Sequence, residues 1–264
     1  MTAAGAQTGP HTIRWVLDEM QFRMDRLPPA AESRRPFLAT YRRTTAAVAS
    51  AMDGSTFEDP AWVEELDVRF AELYLLALSE DLAGGDAPRP WRLAFGAPPS
   101  LPDLRHVLLG INAHINYDLP QALLAVIPDE DFGHPVVLER RRRDHERIDA
   151  VLSSRVAAEN AELALGSRRT LLDRVLQPLN RASSRRFLRE ARAKVWHNTL
   201  ELQRARREGR EAYAWRLGEL ELLSAAKIAD LLAPGQVLVR LAVAGFGVVL
   251  PPADRPAARG SAIS

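Results

Sequence analysis

Apolar residues recur three and four positions apart through most of the chain, which is the spacing of one face of an α-helix. Ile13, Val16, Leu17, Met20 and Met24 form a first stripe that ends at Pro28-Pro29. Phe37, Tyr41, Thr45, Val48 and Met52 form a second. Asp59-Pro60 has the form of a helix start, with Asp as cap and Pro at the first helical position. Trp62, Leu66, Phe70, Leu73 and Ala77 follow at helical spacing. Residues 84–103 are rich in Gly and Pro and predict a long loop anchored by Trp91 and Phe95. Beyond a central helical stretch lies a turn at 129–135. Helices are then expected at 137–165, 171–179, 185–206 and 211–232, the last stopped by Pro234-Gly235. Alternating segments are scarce and no repeat is visible. The pattern predicts an all-α, single-domain multi-helix bundle of at least six helices over residues 10–250. Disordered ends are expected at 1–9 and 251–264.

The central stretch is unusual. With Leu104 as origin and about 100° per residue, Val107, Leu108, Ile111, Ile115, Ala122, Ala125 and Val126 fall within roughly 60° of one direction. Asp118 falls inside that apolar face, about 40° from its centre, and His114 at its edge, about 80° away. Residues four apart are neighbours on a helix surface, so His114 and Asp118 can converge. A buried carboxylate costs several kcal/mol unless it is paired or hydrogen-bonded. Pro120 lacks an N–H and clashes with the carbonyl of Asn116, so the central helix is expected to kink there. Asn112, His114, Asn116 and Asp118 thus mark the place where a site is expected. The alternative is a satisfied polar network that fixes helix packing.

The run Gly110–Pro120, G-I-N-A-H-I-N-Y-D-L-P, resembles the signature of a bacterial family of domains of unknown function numbered 5995, often read G-M-N-A-H-I-N-x-D-L-P. The flanks agree: F-x-D-P at Phe57, Asp59 and Pro60, L-D-V-x-F-A from Leu66 to Ala71, Tyr74 one turn on, and Trp91 before the signature. A D-x-x-x-x-D step at Asp144 and Asp149 follows; the family usually has Asn at the second position, so Asp149 departs from it. The resemblance covers roughly residues 10–235. It implies a largely helical fold and carries no activity.

Composition narrows the classes. The 264 residues carry a net charge of +1, so no global field favours nucleic acid or membranes. There is no cysteine, which removes disulfides, thiolate metal sites and a Cys nucleophile and fits a reducing, cytoplasmic setting. The N-terminus has no basic region followed by an apolar run, so no signal peptide is expected. The longest apolar run, 237–250, contains Arg240 and is too short to span a bilayer; it predicts a buried C-terminal helix or strand pair.

Several chemistries remain. His114 with Asp118, and His197 with Glu201, have i, i+4 spacing on two helices. With Asp67 and Asp144 they could supply ligands to a divalent Zn, Fe or Mn ion. The spacing resembles part of the zinc-dependent phospholipase C and nuclease pattern but lacks its further histidines. Without metal, Asp118 or Asp67 could orient His114 for proton transfer while Asn112 and Asn116 polarise a carbonyl. The Arg140–Arg143 run and the arginines at 185–186 and within 204–207 alternate with acids and read as solvated faces, so no nucleic-acid partner is expected. Asp129-Glu130-Asp131 is similar to a terpene-cyclase diphosphate–Mg motif but has no second metal motif. P-loop, dinucleotide-binding and G-x-S-x-G signatures are missing from the sequence.

These readings converge on a helical protein with a polar pocket at His114, Asn116 and Asp118, completed by Asp67 and Asp144. The expected function is a metal-assisted or His/Asp acid–base enzyme on a small organic substrate, a hydrolase by preference. The alternative is a non-catalytic ligand-binding or interaction protein. Solvent access separates the two, since a catalytic His114 has to be reachable whereas a structural network is sealed. Oligomeric state is not legible.

Overall fold

Local capping chemistry sets where the helices begin. In the computed structural model, which describes residues 11–54, 56–163, 181–235, 245 and 247–252 (without the side chains of 149, 152–163, 181–189 and 191), Thr12 caps α1 (Ile13–Asp25) through the amide of Trp15. A short 3-10 turn, Pro29–Arg34, leads into α2 (Arg35–Met52). Asp59 accepts the amide of Trp62 at 3.1 Å and Pro60 opens α3 (Pro60–Ala83), as the Asp-Pro pair predicts. Gly84, at φ 71°, closes α3 in the left-handed conformation that glycine adopts without strain.

The expected loop at 84–103 contains a helix instead, α4 (Arg89–Phe95). Its Gly and Pro residues lie at the ends, with Pro90 in the first turn, and Trp91 and Phe95, one turn apart, are both buried. α5 (Asp103–Ala113) runs through a π-turn (His114–Asp118) into α6 (Leu119–Val126). After a 3-10 turn at Asp131–Gly133 come α7 (Pro135–Leu163), α8 (Arg181–Glu208) and α9 (Arg210–Leu232). The described residues contain no strand, and no helix among them is long and apolar enough to cross a membrane. The helix expected at 171–179 and most of the 237–250 run lie outside the described residues, as do 1–10 and 253–264. Residues 247–250 are neither helix nor strand pair but a segment without regular secondary structure.

The break expected at Pro120 takes the form of the π-turn. Leu119 donates its amide to the carbonyl of His114, five residues back rather than four. Widening the turn by one residue accommodates a proline that neither donates to Asn116 nor fits against its carbonyl. The carbonyl of Tyr117 is taken up by the side chain of Gln121 at 2.8 Å.

The α5–α6 rod is the centre of the molecule and is wrapped on most sides. α2, α4 and α9 pack on α5; α3 and α8 pack on α6. One core cluster holds Leu108, Leu109 and Ala113 of α5 with Met20, Leu38, Tyr74 and Trp91. A second holds Leu119, Ala122, Leu123 and Val126 of α6 with Trp62, Leu66 and Trp196. The single-face wheel is accordingly corrected: Ala125 is exposed, because the π-turn shifts the phase of α6 against α5, and Ile111 and Ile115 are only partly buried.

Candidate functional site: a sealed His–Asp–Trp cluster

The π-turn brings His114, Asn116, Tyr117 and Asp118 inward together. His114 Nδ1 and Asp118 Oδ2 lie 2.8 Å apart, joining residues four apart across the turn. The indole N–H of Trp91, from α4, donates to the same oxygen at 2.8 Å. Two N–H donors on one oxygen favour the carboxylate, but burial outweighs them and pushes the Asp118 pKa up. Burial likewise drives the His114 pKa down, against the pull of Asp118, so the imidazole is held neutral. With Nδ1–H donated to Asp118, Nε2 is left as an acceptor.

The imidazole sits in an aromatic box. Phe70 stacks flat on it, and Tyr41 meets it edge-on with ring centroids 4.6 Å apart. Phe37, Tyr74 and Trp91 close the remaining sides at 5.9–6.0 Å. His114 retains 4 % exposure and Asp118 2 %, so the pair is sealed.

Asp67 Oδ2 and His114 Nε2, both buried near this box, have no hydrogen-bond partner among the described residues, and the buried Tyr41 and Thr45 hydroxyls have only a loose contact with each other. Tyr41 and Thr45 are one turn apart on α2, and Asp67 lies one turn before Phe70 on α3. The Tyr41 phenol is pushed well up by burial and then by the charges of Asp67 and Asp118, which places it near both carboxyls, and is eased back slightly by the Thr45 hydroxyl. Burial, with a smaller push from Glu64, raises the Asp67 carboxyl to about 7. The Tyr74 hydroxyl is also unpartnered, but the charges acting on it are those of Arg23, Arg34 and Asp81, so it faces the far end of α3. The sequence pattern registers Tyr41 and Thr45 only as stripe residues. The available signal was two hydroxyls a turn apart on an apolar face.

The other expected site residues lie elsewhere. Asn116 donates to Asn112 Oδ1 at 3.3 Å, and Asn112 donates to the carbonyl of Leu108, so this pair runs back along α5 rather than into the box. Asp144, fully buried, accepts the amides of Glu58 and Asp59 at 2.8 Å each and pairs with Arg147. It ties α7 to the start of α3, roughly 16 Å along that helix from Phe70 at about 1.5 Å per residue. His197 donates to the carbonyl of Leu250 at 3.0 Å, and Glu201 pairs with Arg216 at 2.8 Å. The six metal-ligand candidates thus fall at three separate places. Among the described residues no group of three or more His, Asp or Glu side chains is placed to hold a metal ion. Asp129 pairs with Arg206 rather than forming an acidic cluster, and the side chain of Asp149 lies outside the described residues.

The arginine run is not simply a solvated face. Arg141, with 11 % of its side chain exposed, pairs with the α3 cap Asp59 at 2.5 Å and lies over the Trp62 ring. Two cavities flank the box. One, of about 10 Å³, is lined by Phe37, Trp91, His106 and Gly110 and has room for about one water molecule. The other is a groove of about 490 Å³ on the outer side of α3, where His11 pairs with Glu72 and Glu64 accepts the amide of Ile13. His11, Glu64 and Glu72 in this groove are already matched, whereas Asp67 Oδ2 and His114 Nε2 by the box are not.

No curated protein and no solved structure matches the chain. A family model does match, over residues 13–234, a span that includes the π-turn, the aromatic box and Asp67. The chain therefore belongs to DUF5995, a family of unknown function.

Proposed function

We propose that this protein is a non-catalytic helical ligand-binding protein whose binding site is the buried polar cluster between α2, α3 and the π-turn. The observation that carries this reading is the pair of buried, unpartnered atoms Asp67 Oδ2 and His114 Nε2, beside the Tyr41 and Thr45 hydroxyls, which have only each other. Leaving a polar atom bare in a protein interior costs about 1–3 kcal/mol. Two of them together are a large fraction of the stability of a typical domain, roughly 5–15 kcal/mol. A small polar molecule offering a donor to His114 Nε2 and an acceptor to the two hydroxyls would offset that cost. With a neutral imidazole and an Asp67 carboxyl half protonated near neutrality, the cluster suits an uncharged guest. Enclosure weighs against turnover, because substrate and product would each have to pass the aromatic box.

Replacing Tyr41 by Phe tests the reading. If the hydroxyl merely sits bare in a dry core, its removal stabilises the protein by about 1 kcal/mol. If it contacts a guest, Tyr41→Phe lowers the melting temperature of the protein as purified, and native mass spectrometry shows a small molecule on the wild type that the variant loses. Stabilisation by Tyr41→Phe with no bound mass in either protein overturns the proposal.

One observation favours acid–base hydrolysis as a second reading. Asp118 on Nδ1 leaves Nε2 free, which is the arrangement of an oriented general base. Hydrolysis of a small ester or amide that disappears in His114→Gln, while the variant keeps its fold, would favour this reading over pure binding.

A further inference from the structure

Residues 247–251 lie in a groove as a ligand would. Lys194 donates to the carbonyl of Gly247 at 3.2 Å, and the amide of Val248 donates to Asn116 Oδ1 at 3.3 Å. Asn198 grips both sides of the next residue: its Nδ2 donates to the carbonyl of Val248 at 3.0 Å, and its Oδ1 accepts the amide of Leu250 at 2.9 Å. His197 donates to the carbonyl of Leu250 at 3.0 Å, and Arg216 to that of Pro251. Lys194, His197, Asn198 and Glu201 are spaced three and four apart, so one face of α8 supplies most of this array.

Every one of these bonds is made to main chain. Side chains of the segment alternate as in any extended strand. Val249 points out, 45 % exposed, whereas Leu250 is fully buried against Tyr117, Leu124, Leu202 and Leu220, with Val248 packed beside them. Main-chain bonds supply affinity and pockets for alternate side chains supply selectivity, which is how extended peptides are recognised. The groove residues Asn116, Lys194, His197, Asn198 and Arg216 all lie within the family match at 13–234, and the segment that fills the groove lies outside it.

We infer that the groove between α8, α9 and the π-turn is a recognition site for an extended peptide of a partner protein reading apolar-x-Leu-Pro, and that residues 247–251 are its exchangeable occupant in cis. Main-chain contacts do not depend on which chain supplies them. A partner segment with apolar residues at the Val248 and Leu250 positions meets the same donors and acceptors. Arg216 is preset for the last carbonyl by Glu201 and Glu219, both within 2.8 Å.

The test uses the full-length chain carrying Leu250→Asp, which empties the apolar pocket, and a fluorescent synthetic peptide Gly-Phe-Gly-Val-Val-Leu-Pro-Pro. Anisotropy should report saturable binding at least tenfold tighter than to wild type, where the chain's own segment competes. Adding Asn198→Ala should weaken it at least tenfold. A folded Leu250→Asp variant that does not bind the peptide, or binding indifferent to Asn198→Ala, overturns the inference. If Leu250→Asp does not fold, hydrogen exchange on wild type decides. The Val248 and Leu250 amides should exchange at least a hundredfold faster than that of Leu123, and equal protection would make the segment a fixed part of the core. A wild-type dimer held by exchanged tails would also overturn it, since the groove would then serve a second copy rather than a partner.

Discussion

Phe70 lies face to face with His114, ring centroids 3.5 Å apart and planes within 5° of parallel. α3 supplies one ring and the π-turn the other, so the contact joins the helix that carries Asp67 to the turn that carries Asp118. A stacked, sealed imidazole has little water with which to stabilise a charge, which is why burial dominates its titration.

Asp118→Asn should destabilise the protein by about 1–3 kcal/mol, because an amide presents only one acceptor and sets its NH₂ near the donors of Trp91 and His114. The same change at exposed Asp18 should cost less than about 0.5 kcal/mol. Denaturant melts of the two variants make the comparison. Equal effects would mean that Asp118 does not organise the cluster.

Asp67→Asn should show its effect through pH. The folded carboxyl titrates near 7 and the unfolded one near the ordinary value of about 3.9. Between those values the native state holds a proton that the unfolded chain releases, so this group's contribution falls as pH rises from about 4 to 7 and is level above. Relative to wild type the variant should gain on the order of 1–4 kcal/mol at pH 8 and little at pH 4. The buried, neutral histidines His114 and His145 act in the opposite sense, losing stability as pH falls below about 6.5, but they are common to both proteins and cancel in the difference. Melts at the two pH values settle the sign.

Gly110→Ala sets helix propensity against packing. In an open helix the change would gain about 1 kcal/mol. Here a Cβ would lie 2.4 Å from the ring of Phe37, and that ring is held between Tyr74, Trp91 and His114. Overpacking of this kind costs about 1–3 kcal/mol, so the net effect should be destabilising. A rise in melting temperature would show that Phe37 yields freely.

Arg141→Ala should cost about 1–2 kcal/mol, more than its place in an arginine run implies. It removes a pairing with the α3 cap and a cation–aromatic contact with Trp62, both partly shielded from solvent. Thermal melts against Arg204→Ala, whose side chain is 69 % exposed, provide the scale.

Helix existence was legible because each stripe is long and its ends carry caps, as at Asp59-Pro60 and Pro234-Gly235. The inward turn of His114 and Asp118 was legible for the same reason, since four-residue spacing survives within the turn. What a single-face wheel could not foresee was the change of phase at Pro120, and hence the exposure of Ala125. α4 escaped because it is short and its composition reads as loop, although Trp91 and Phe95 sit one turn apart. The roles of Asp144, His197 and Glu201 depend on partners 15 to 86 positions away, at Glu58, Leu250 and Arg216, and no local pattern encodes them. The neutral His145, which accepts the Trp196 indole N–H at 3.1 Å, gave no signal beyond its residue type.

The π-turn makes length, as well as composition, a constrained property of the central rod. It works as a phase joint: α5 presents Leu108 and Leu109 to one core and α6 presents Leu119 and Leu123 to another, and the five-residue turn between them sets the angle. Exchanging one side chain there, Ile115 for instance, leaves that angle alone. Losing one residue turns everything on one side by about 100° relative to the other. Leu123 would then face away from α3 while Leu108 stayed in place. The number of residues in the turn is therefore held as tightly as the identities of His114 and Asp118.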